Sequence, residues 1–179
     1  FIGPDKVDDF VSAYFENNLR DHVQIPAKLF WIFNPEAVGT IIAHHIEKRW
    51  VYMQPIYLDY EKKESFTKAY LENRIKKALG NESLEIDVKS ISYWRMSAQI
   101  AETFKKNRVM LVGDAAHCFP PTGGLGMNTG IADAHNIAWK LQAVIQGWAD
   151  EQLLDTYQAE RKPVAEDNCK ESLYNYHKI

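Results

Sequence analysis

Cysteine, long apolar runs and an excess of one charge are all scarce in this sequence, and each shortage excludes a class of protein. Two cysteines in 179 residues are too few for a disulfide framework, so a reducing compartment, the cytoplasm, is the expected location. No segment approaches the roughly 20 apolar residues of a membrane span, and no signal peptide is visible. A net charge of −3 gives no electrostatic basis for binding nucleic acid or an anionic membrane. No spacing of cysteine, histidine and carboxylate residues is typical of a metal site.

Glycine is also sparse, but part of the small supply is concentrated in one stretch that organises the chain. Apolar residues 109–112 predict a short buried strand, and Gly113 and Asp114 follow it as a turn. An irregular loop is indicated next by Pro120, Pro121, Gly123, Gly124 and Gly126. From Met127 the spacing predicts a helix with a buried apolar stripe made of Ile131, Ala134, Ala138, Leu141 and Ile145.

This order of strand, acidic turn, glycine-rich loop and helix suits a ligand that is both hydroxylated and anionic. Asp114 is expected at the C-terminal end of a strand, where open α/β sheets bind ligands, and its carboxylate accepts hydrogen bonds from a sugar or sugar alcohol. The helix start offers unpaired backbone N–H groups to a negative charge. The alternative is a tight turn capped by Asp114 and followed by a flexible loop without a ligand.

Three consecutive segments of this stretch resemble the second flavin-binding motif of the single-component FAD-dependent aromatic hydroxylases, typified by para-hydroxybenzoate hydroxylase. The segments are Gly113-Asp-Ala-Ala-His117, Pro120-Pro-Thr-Gly-Gly-Leu-Gly-Met-Asn128 and Gly130-Ile-Ala-Asp-Ala-His-Asn-Ile-Ala-Trp-Lys-Leu141. The resemblance implies that Asp114 binds the ribityl chain of FAD and that the loop and helix start lie against the isoalloxazine ring. The cofactor-binding residues so implied are Gly113, Asp114, Pro121, Gly124, Leu125, Gly126, Met127 and Asn128.

Two motifs of the resembled family are missing from the 179 residues. One is the Gly-x-Gly-x-x-Gly turn for the ADP half of FAD, and the other is a middle Asp-Gly motif linked to FAD and NAD(P)H. Together with a first residue that is not methionine, this suggests the C-terminal part of a longer hydroxylase. The expected partners are a small aromatic substrate and either the missing N-terminal segment or a second copy in a homodimer.

The expected fold class is α+β, with residues 1–93 as a partial substrate-side sheet domain and residues 94–179 as the C-terminal part of an FAD-binding domain. In the sheet domain, the patterns predict a helix over 5–19, an extended run over 22–33, strands over 38–46 and 50–58, and a helix over 64–79. Residues 84–100 are expected to be extended and to lead back to the flavin motif. In the resembled family such a sheet covers the substrate side of the flavin.

Aromatic residues are frequent in the predicted strands and admit two interpretations. They line a pocket for an aromatic substrate, or they pack the sheet, since aromatic residues favour strands in any case. Tyr52 and Gln54, at the end of the last predicted strand, are the preferred substrate contacts, together with Pro120 of the loop.

No catalytic acid or base is assigned, because in this family the cofactor carries the difficult chemistry. His117 is a candidate proton relay by residue type, with stabilisation of the turn as the alternative, and Arg161 is expected in an ion pair. The implied activity is hydroxylation of a phenolic substrate by FAD, NADH or NADPH, and O2. The alternatives are a non-catalytic fragment without cofactor, and a flavin epoxidase or oxidase acting on a non-aromatic substrate.

Overall fold

The computed structural model describes residues 1–57 and 61–178, and these residues form two compact units. The first, which we call the sheet unit, comprises Asp8–Arg95. The second, the motif unit, combines Phe1–Val7 with Met96–Ile179. The boundary between Arg95 and Met96 lies two residues beyond the predicted one at 93/94. The first seven residues belong to the motif unit instead of the predicted sheet domain, because backbone hydrogen bonds join Ile2 to Ile100 and Val7 to Met96.

The described residues of the sheet unit form five strands and one α-helix. The strands are β1 (Asp8–Glu16), β2 (Leu29–Ile32), β3 (Gly39–His45), β4 (Arg49–Pro55) and β5 (Asp87–Met96), and the helix is α1 (Lys68–Ala78). Their order in the sheet is β2-β3-β4-β1-β5, and the pairings of β2 with β3, β3 with β4 and β4 with β1 are antiparallel. The α+β fold class is confirmed, and the strands predicted over 38–46 and 50–58 are found as β3 and β4, although β4 ends at Pro55. Leu58, the last residue of that prediction, lies outside the described residues.

The helix predicted over residues 5–19 is wrong, because this segment forms β1. Its buried side chains alternate, with Val11, Ala13 and Phe15 all facing the core. Phe10 lies on the opposite face and stacks on Trp94 with ring centroids 4.6 Å apart. Apolar residues on both faces of one strand produce three- and four-residue spacings that imitate a helix.

One face of the sheet packs against α1 and forms the core of the unit. Leu71 and Ile75 of α1 are fully buried against Phe15, Ile41 and Trp50 of the strands. The helix starts at its N-cap Thr67, whose hydroxyl accepts a hydrogen bond from the backbone N–H of Tyr70 at 3.2 Å. It therefore begins four residues later than predicted.

The motif unit consists of two helices and short strand pairs. The strands are β6 (Gln99–Ile100), β7 (Lys105–Lys106), β8 (Val109–Met110) and β9 (His117–Cys118), and the helices are α2 (Leu125–Ile145) and α3 (Thr156–His177). β6 pairs with β9, and β7 pairs with β8. Phe104, Ala116 and Tyr157 lie in the core of this unit and are fully buried.

The buried strand predicted over residues 109–112 is found only as the two residues of β8, and Val109 is 64% exposed. The prediction was wrong in length and burial because a strand needs a pairing neighbour, and within the described residues only the two-residue β7 supplies one.

The buried face of α2 is also not the predicted one. Ile131 and Ile145 of the predicted stripe are 61% and 81% exposed. The buried face instead carries Thr129, Asp133, Ile137, Lys140 and Ala143. Apolar periodicity identifies the apolar face of a helix but not the segment that covers it. The two buried charged residues, Asp133 and Lys140, face α3, which supplies partners of opposite sign.

Candidate functional site

The acidic turn is built around Gly113, whose φ of +59° lies in the left-handed region that favours glycine. The turn Gly113–Ala115 is a short 3₁₀ segment, closed by a hydrogen bond from the N–H of Ala116 to the Gly113 carbonyl at 2.7 Å. It lies directly on α2, since a Cβ added to Gly130 would be 3.2 Å from the Gly113 Cα. Asp114 projects from this turn and is exposed. The turn thus presents a carboxylate to solvent on a backbone packed against a helix.

The loop after the turn is anchored at Thr122, whose hydroxyl donates to the Ser172 carbonyl of α3 at 2.5 Å. Pro121 is exposed, and its carbonyl accepts a hydrogen bond from the N–H of Gly124 at 3.1 Å. Gly124 is the N-cap of α2 with a φ of +65°, and a Cβ there would meet nothing within 4 Å. The absence of a side chain at Gly124 therefore permits the left-handed backbone conformation and leaves open space in front of the helix start.

The first turn of α2 begins at Leu125, two residues earlier than predicted. N–H groups in a first turn have no acceptor within the helix, and the N-cap residue, Gly124, has no side chain that could accept from them. Met127 is 74% exposed, and a Cβ on Gly126 would meet only a Phe119 ring carbon at 3.9 Å. Unobstructed donors and a partial positive charge therefore face open space.

A buried carboxylate that the sequence analysis did not single out lies behind the acidic turn. Asp133 of α2 is fully buried, and its two oxygens accept three hydrogen bonds. Oδ1 accepts from Nε of Arg161 at 2.7 Å, as the predicted ion pair of Arg161. Oδ2 lies 2.7 Å from Nε2 of His117 and accepts from the backbone N–H of Gly113 at 3.3 Å. Because an ionised carboxylate only accepts, the Nε2 of His117 carries a hydrogen.

His117 itself is 1% exposed and stacks on Phe119, with ring centroids 4.6 Å apart. Its Nδ1 is buried and has no hydrogen-bond partner among the described residues. A proton relay needs a path from each ring nitrogen, so this placement favours stabilisation of the turn over the relay.

Two further titratable side chains near the turn stay protonated. Burial, followed by the Asp133 carboxylate, raises the pKa of Tyr157 to about 12, and its hydroxyl donates to the Leu111 carbonyl at 2.7 Å. Burial, followed by the Asp114 charge, raises the pKa of the Cys118 thiol. A protonated thiol is a poor nucleophile, so Cys118 is not suited to covalent chemistry.

The residues predicted to contact substrate lie in protein interior. Tyr52 and Gln54 are 0% and 2% exposed on the sheet face that α1 covers. The Tyr52 hydroxyl lies 2.9 Å from the Val38 carbonyl and 3.1 Å from Oε1 of Gln54, which also accepts from Nε of Arg74 at 3.2 Å. Burial raises the pKa of Tyr52 to about 12. This placement agrees with the packing interpretation and corrects the choice of Tyr52 and Gln54. Pro120 is also buried.

Comparison with known proteins gives the class to which this chain belongs. A family model described as an FAD binding domain matches residues 1–172. The tetracenomycin A2 monooxygenase-dioxygenase of Streptomyces glaucescens is 35% identical over 173 residues, covering 90% of this chain and 30% of that protein. The 2,4-dichlorophenol 6-monooxygenase of Cupriavidus pinatubonensis is 34% identical over 165 residues, covering 87% of this chain and 27% of that protein.

A solved structure of an aklavinone-11 hydroxylase in ternary complex with FAD and aklavinone superposes on this chain with a TM-score of 0.90. The identity is 34%, and the match covers 97% of this chain and 33% of that one. The chain therefore belongs to the FAD binding domain family of flavin-dependent monooxygenases and hydroxylases. It spans about a third or less of the length of each of these three proteins.

Proposed function

We propose that this chain binds the riboflavin half of FAD within a longer monooxygenase, which hydroxylates an aromatic, phenol-like substrate with NADH or NADPH and O2. The observation that carries the proposal is the joint geometry of Asp114 and the start of α2. An exposed carboxylate and free first-turn N–H donors stand on rigidly anchored backbone, within a chain of the FAD binding domain family.

The described residues fit this half of FAD in three ways. Asp114 would accept hydrogen bonds from the ribityl hydroxyls, and the N–H groups of Gly126 and Met127 would donate to the flavin ring. Gly124 leaves open space for a flat ring, since a Cβ at that position would meet nothing within 4 Å. Gly113, Pro121, Leu125 and Asn128 complete the proposed site by shaping this backbone. When bound, FAD supplies hydride acceptance and oxygen activation.

The side chain of Asn128 forms a hydrogen bond within the first turn of α2. The Nδ2 of Asn128 donates to the Gly124 carbonyl at 3.2 Å, which stabilises the helix start. Asn128 therefore supports the proposed site by holding the first turn of α2 in place, since its backbone N–H is also bonded within the helix.

A helix N-terminus stabilises the reduced, anionic flavin more than the oxidised form. Gly126→Val in the full-length enzyme is expected to lower the flavin midpoint potential by about 20 mV, as expected for about 1 kcal/mol of lost interaction in a two-electron couple. The variant should fold, because a Cβ at this position meets only Phe119 at 3.9 Å. A spectroelectrochemical titration of both proteins saturated with FAD measures the shift. An unchanged or higher potential would mean that the helix start does not face the ring.

The substrate is proposed to lie on the sheet face that α1 does not cover. Side chains alternate along a strand, so residues adjacent to the buried Tyr52 point to the other face. Met53 of β4 pairs with Ser12 of β1 and Thr40 of β3, so the side chains of these three residues lie on the same face of the sheet. Its apolar and aromatic members include Phe10, Tyr14, Leu29, Trp31, Ile42, Val51, Met53 and Trp94.

Neighbouring positions on β4 provide a matched test of this face. In the full-length enzyme, Met53→Ala is expected to raise KM for the aromatic substrate about tenfold, since one buried apolar side chain contributes about 1.5 kcal/mol. Tyr52→Phe should leave KM within about twofold and lower the melting temperature, because its hydroxyl bonds inside the core. Steady-state kinetics and thermal unfolding of both variants measure these changes in KM and melting temperature. The reverse pattern would place the substrate on the other face.

The proposed activity has a direct test in the purified full-length protein. Flavin absorbance bands, together with NADH or NADPH oxidation that is stimulated by a phenol and yields a hydroxylated product, support it. A protein without flavin bands is the non-catalytic alternative. Flavin bands with turnover only on a non-aromatic substrate indicate an epoxidase or oxidase.

The exposed surface of α2 supports a proposal about the partner of this chain. The exposed side chains Met127, Ile131, Ile145 and Trp148 form an apolar stripe along and just beyond α2. We propose that a further segment of the longer protein covers this stripe, with a homodimer as the alternative. Within the described part of the chain, no helix combines the length and apolar character of a membrane span. A cytoplasmic location is proposed because the two cysteines, Cys118 and Cys169, provide no disulfide framework.

A further inference from the structure

The buried carboxylate of Asp133 accepts a hydrogen bond from the backbone of the acidic turn, at the Gly113 N–H. We infer that Asp133 is a positioning residue for FAD: it holds the backbone that aims Asp114, without contacting the cofactor itself. The inference rests on the proposed function, because it assigns a task to the turn that is proposed to bind the ribityl chain.

Three contacts of Asp133 converge from separate segments of the motif unit. The Gly113 N–H comes from the turn itself, His117 from β9, and Arg161 from α3. All three groups donate, so a carboxylate is the one side chain of this size that satisfies them together. The Arg161 side chain is 14% exposed, and its guanidinium balances a charge that would otherwise be costly to bury.

The turn has a second support on the same face of α2. Gly130 lies one helical turn before Asp133, and its Cα approaches the Gly113 backbone so closely that a Cβ would be 3.2 Å from the Gly113 Cα. Gly130 permits the close approach of the turn to the helix, while Asp133 accepts a hydrogen bond from the Gly113 N–H. Among the hydrogen bonds of the described residues none involves the Asp114 carboxylate, so its position depends on the turn backbone that Gly130 and Asp133 hold.

The test is a double-mutant cycle in the full-length enzyme, with the FAD dissociation constant as readout. Asp133→Asn keeps the size of the side chain but replaces one acceptor oxygen with a donor. It is expected to weaken FAD binding about tenfold. If Asp133 acts through Asp114, the double variant with Asp114→Ala should bind FAD no more weakly than Asp114→Ala alone. Visible circular dichroism of the bound flavin should also change.

Lys140→Met is the matched control for a general loss of helix packing. Lys140 is the other fully buried charge on this face of α2, and its Nζ contacts Thr156 and Glu160 at 2.7 and 2.8 Å. This variant is expected to keep FAD affinity within about twofold whatever its melting temperature.

The inference is overturned if Asp133→Asn keeps FAD affinity within twofold, or if its loss simply adds to that of Asp114→Ala. If Asp133→Asn does not fold, Gly130→Ala decides instead, since its Cβ must displace the Gly113 backbone. Unchanged FAD affinity in Gly130→Ala would then also overturn it. An Asp114→Ala variant with normal FAD affinity contradicts the proposed function itself, which distinguishes the two failures.

Discussion

Replacing Asp114 with alanine in the full-length enzyme is expected to weaken FAD binding about ten- to a hundredfold. A carboxylate that accepts hydrogen bonds from hydroxyls contributes about 1.5–3 kcal/mol, and each 1.4 kcal/mol corresponds to a factor of about ten. Because Asp114 is exposed, its carboxylate is available to a ligand in front of the turn, and a loss of FAD affinity in the variant would report the loss of that contact. Titration of apoprotein with FAD, followed by flavin fluorescence, measures the change.

The competing interpretation makes Asp114 a cap for its own turn, and the chain contains a suitable comparison. Asp150 caps a turn of the same 3₁₀ type, with its carboxylate accepting from the N–H of Gln152 at 2.8 Å. Asp150→Ala should therefore lower the melting temperature and leave FAD affinity unchanged. If Asp114→Ala behaves like Asp150→Ala, with FAD affinity within about twofold, the assignment of Asp114 to the cofactor site is wrong.

The acidic turn and its loop were accessible from sequence because their geometry is local. A glycine at φ +59°, a following aspartate and a glycine N-cap are each specified within a few residues. Asp133 was not singled out, since its importance depends on contacts with β9 and α3, which lie 16 and 28 residues away in sequence. Helical spacing placed it opposite the apolar stripe, where a charge is ordinarily solvated.

The substrate candidates show a second limit of sequence patterns. Alternation along β4 separates Tyr52 and Gln54 from Met53, but it does not reveal which set meets α1. That choice is made by Leu71 and Ile75, whose burial against one face leaves the other open. The same ambiguity concealed β1, where Phe10 and Val11 are apolar on opposite faces.

The 179-residue chain alone is expected to bind FAD weakly and to show no hydroxylase activity. The sequence contains no Gly-x-Gly-x-x-Gly turn, so the proposed site holds the riboflavin half and nothing in the 179 residues is assigned to the pyrophosphate and adenosine. Losing about 4 kcal/mol of contact free energy weakens binding about a thousandfold. Co-expression with the segment that carries this turn in the longer protein should restore both binding and activity.

Comparison of two ligands makes this last prediction specific. If the chain contacts only the riboflavin half, isothermal titration should give nearly equal, weak affinities for FAD and for FMN, which lacks the adenosine. The full-length enzyme should prefer FAD strongly, because the adenosine half then adds contacts of its own. The exposed apolar stripe of α2 provides an internal check, since Ile131 and Ile145 should become protected from solvent only in the co-expressed complex. Sub-micromolar binding of FAD by the isolated chain, or a clear preference for FAD over FMN, would show that these residues already hold the adenosine half.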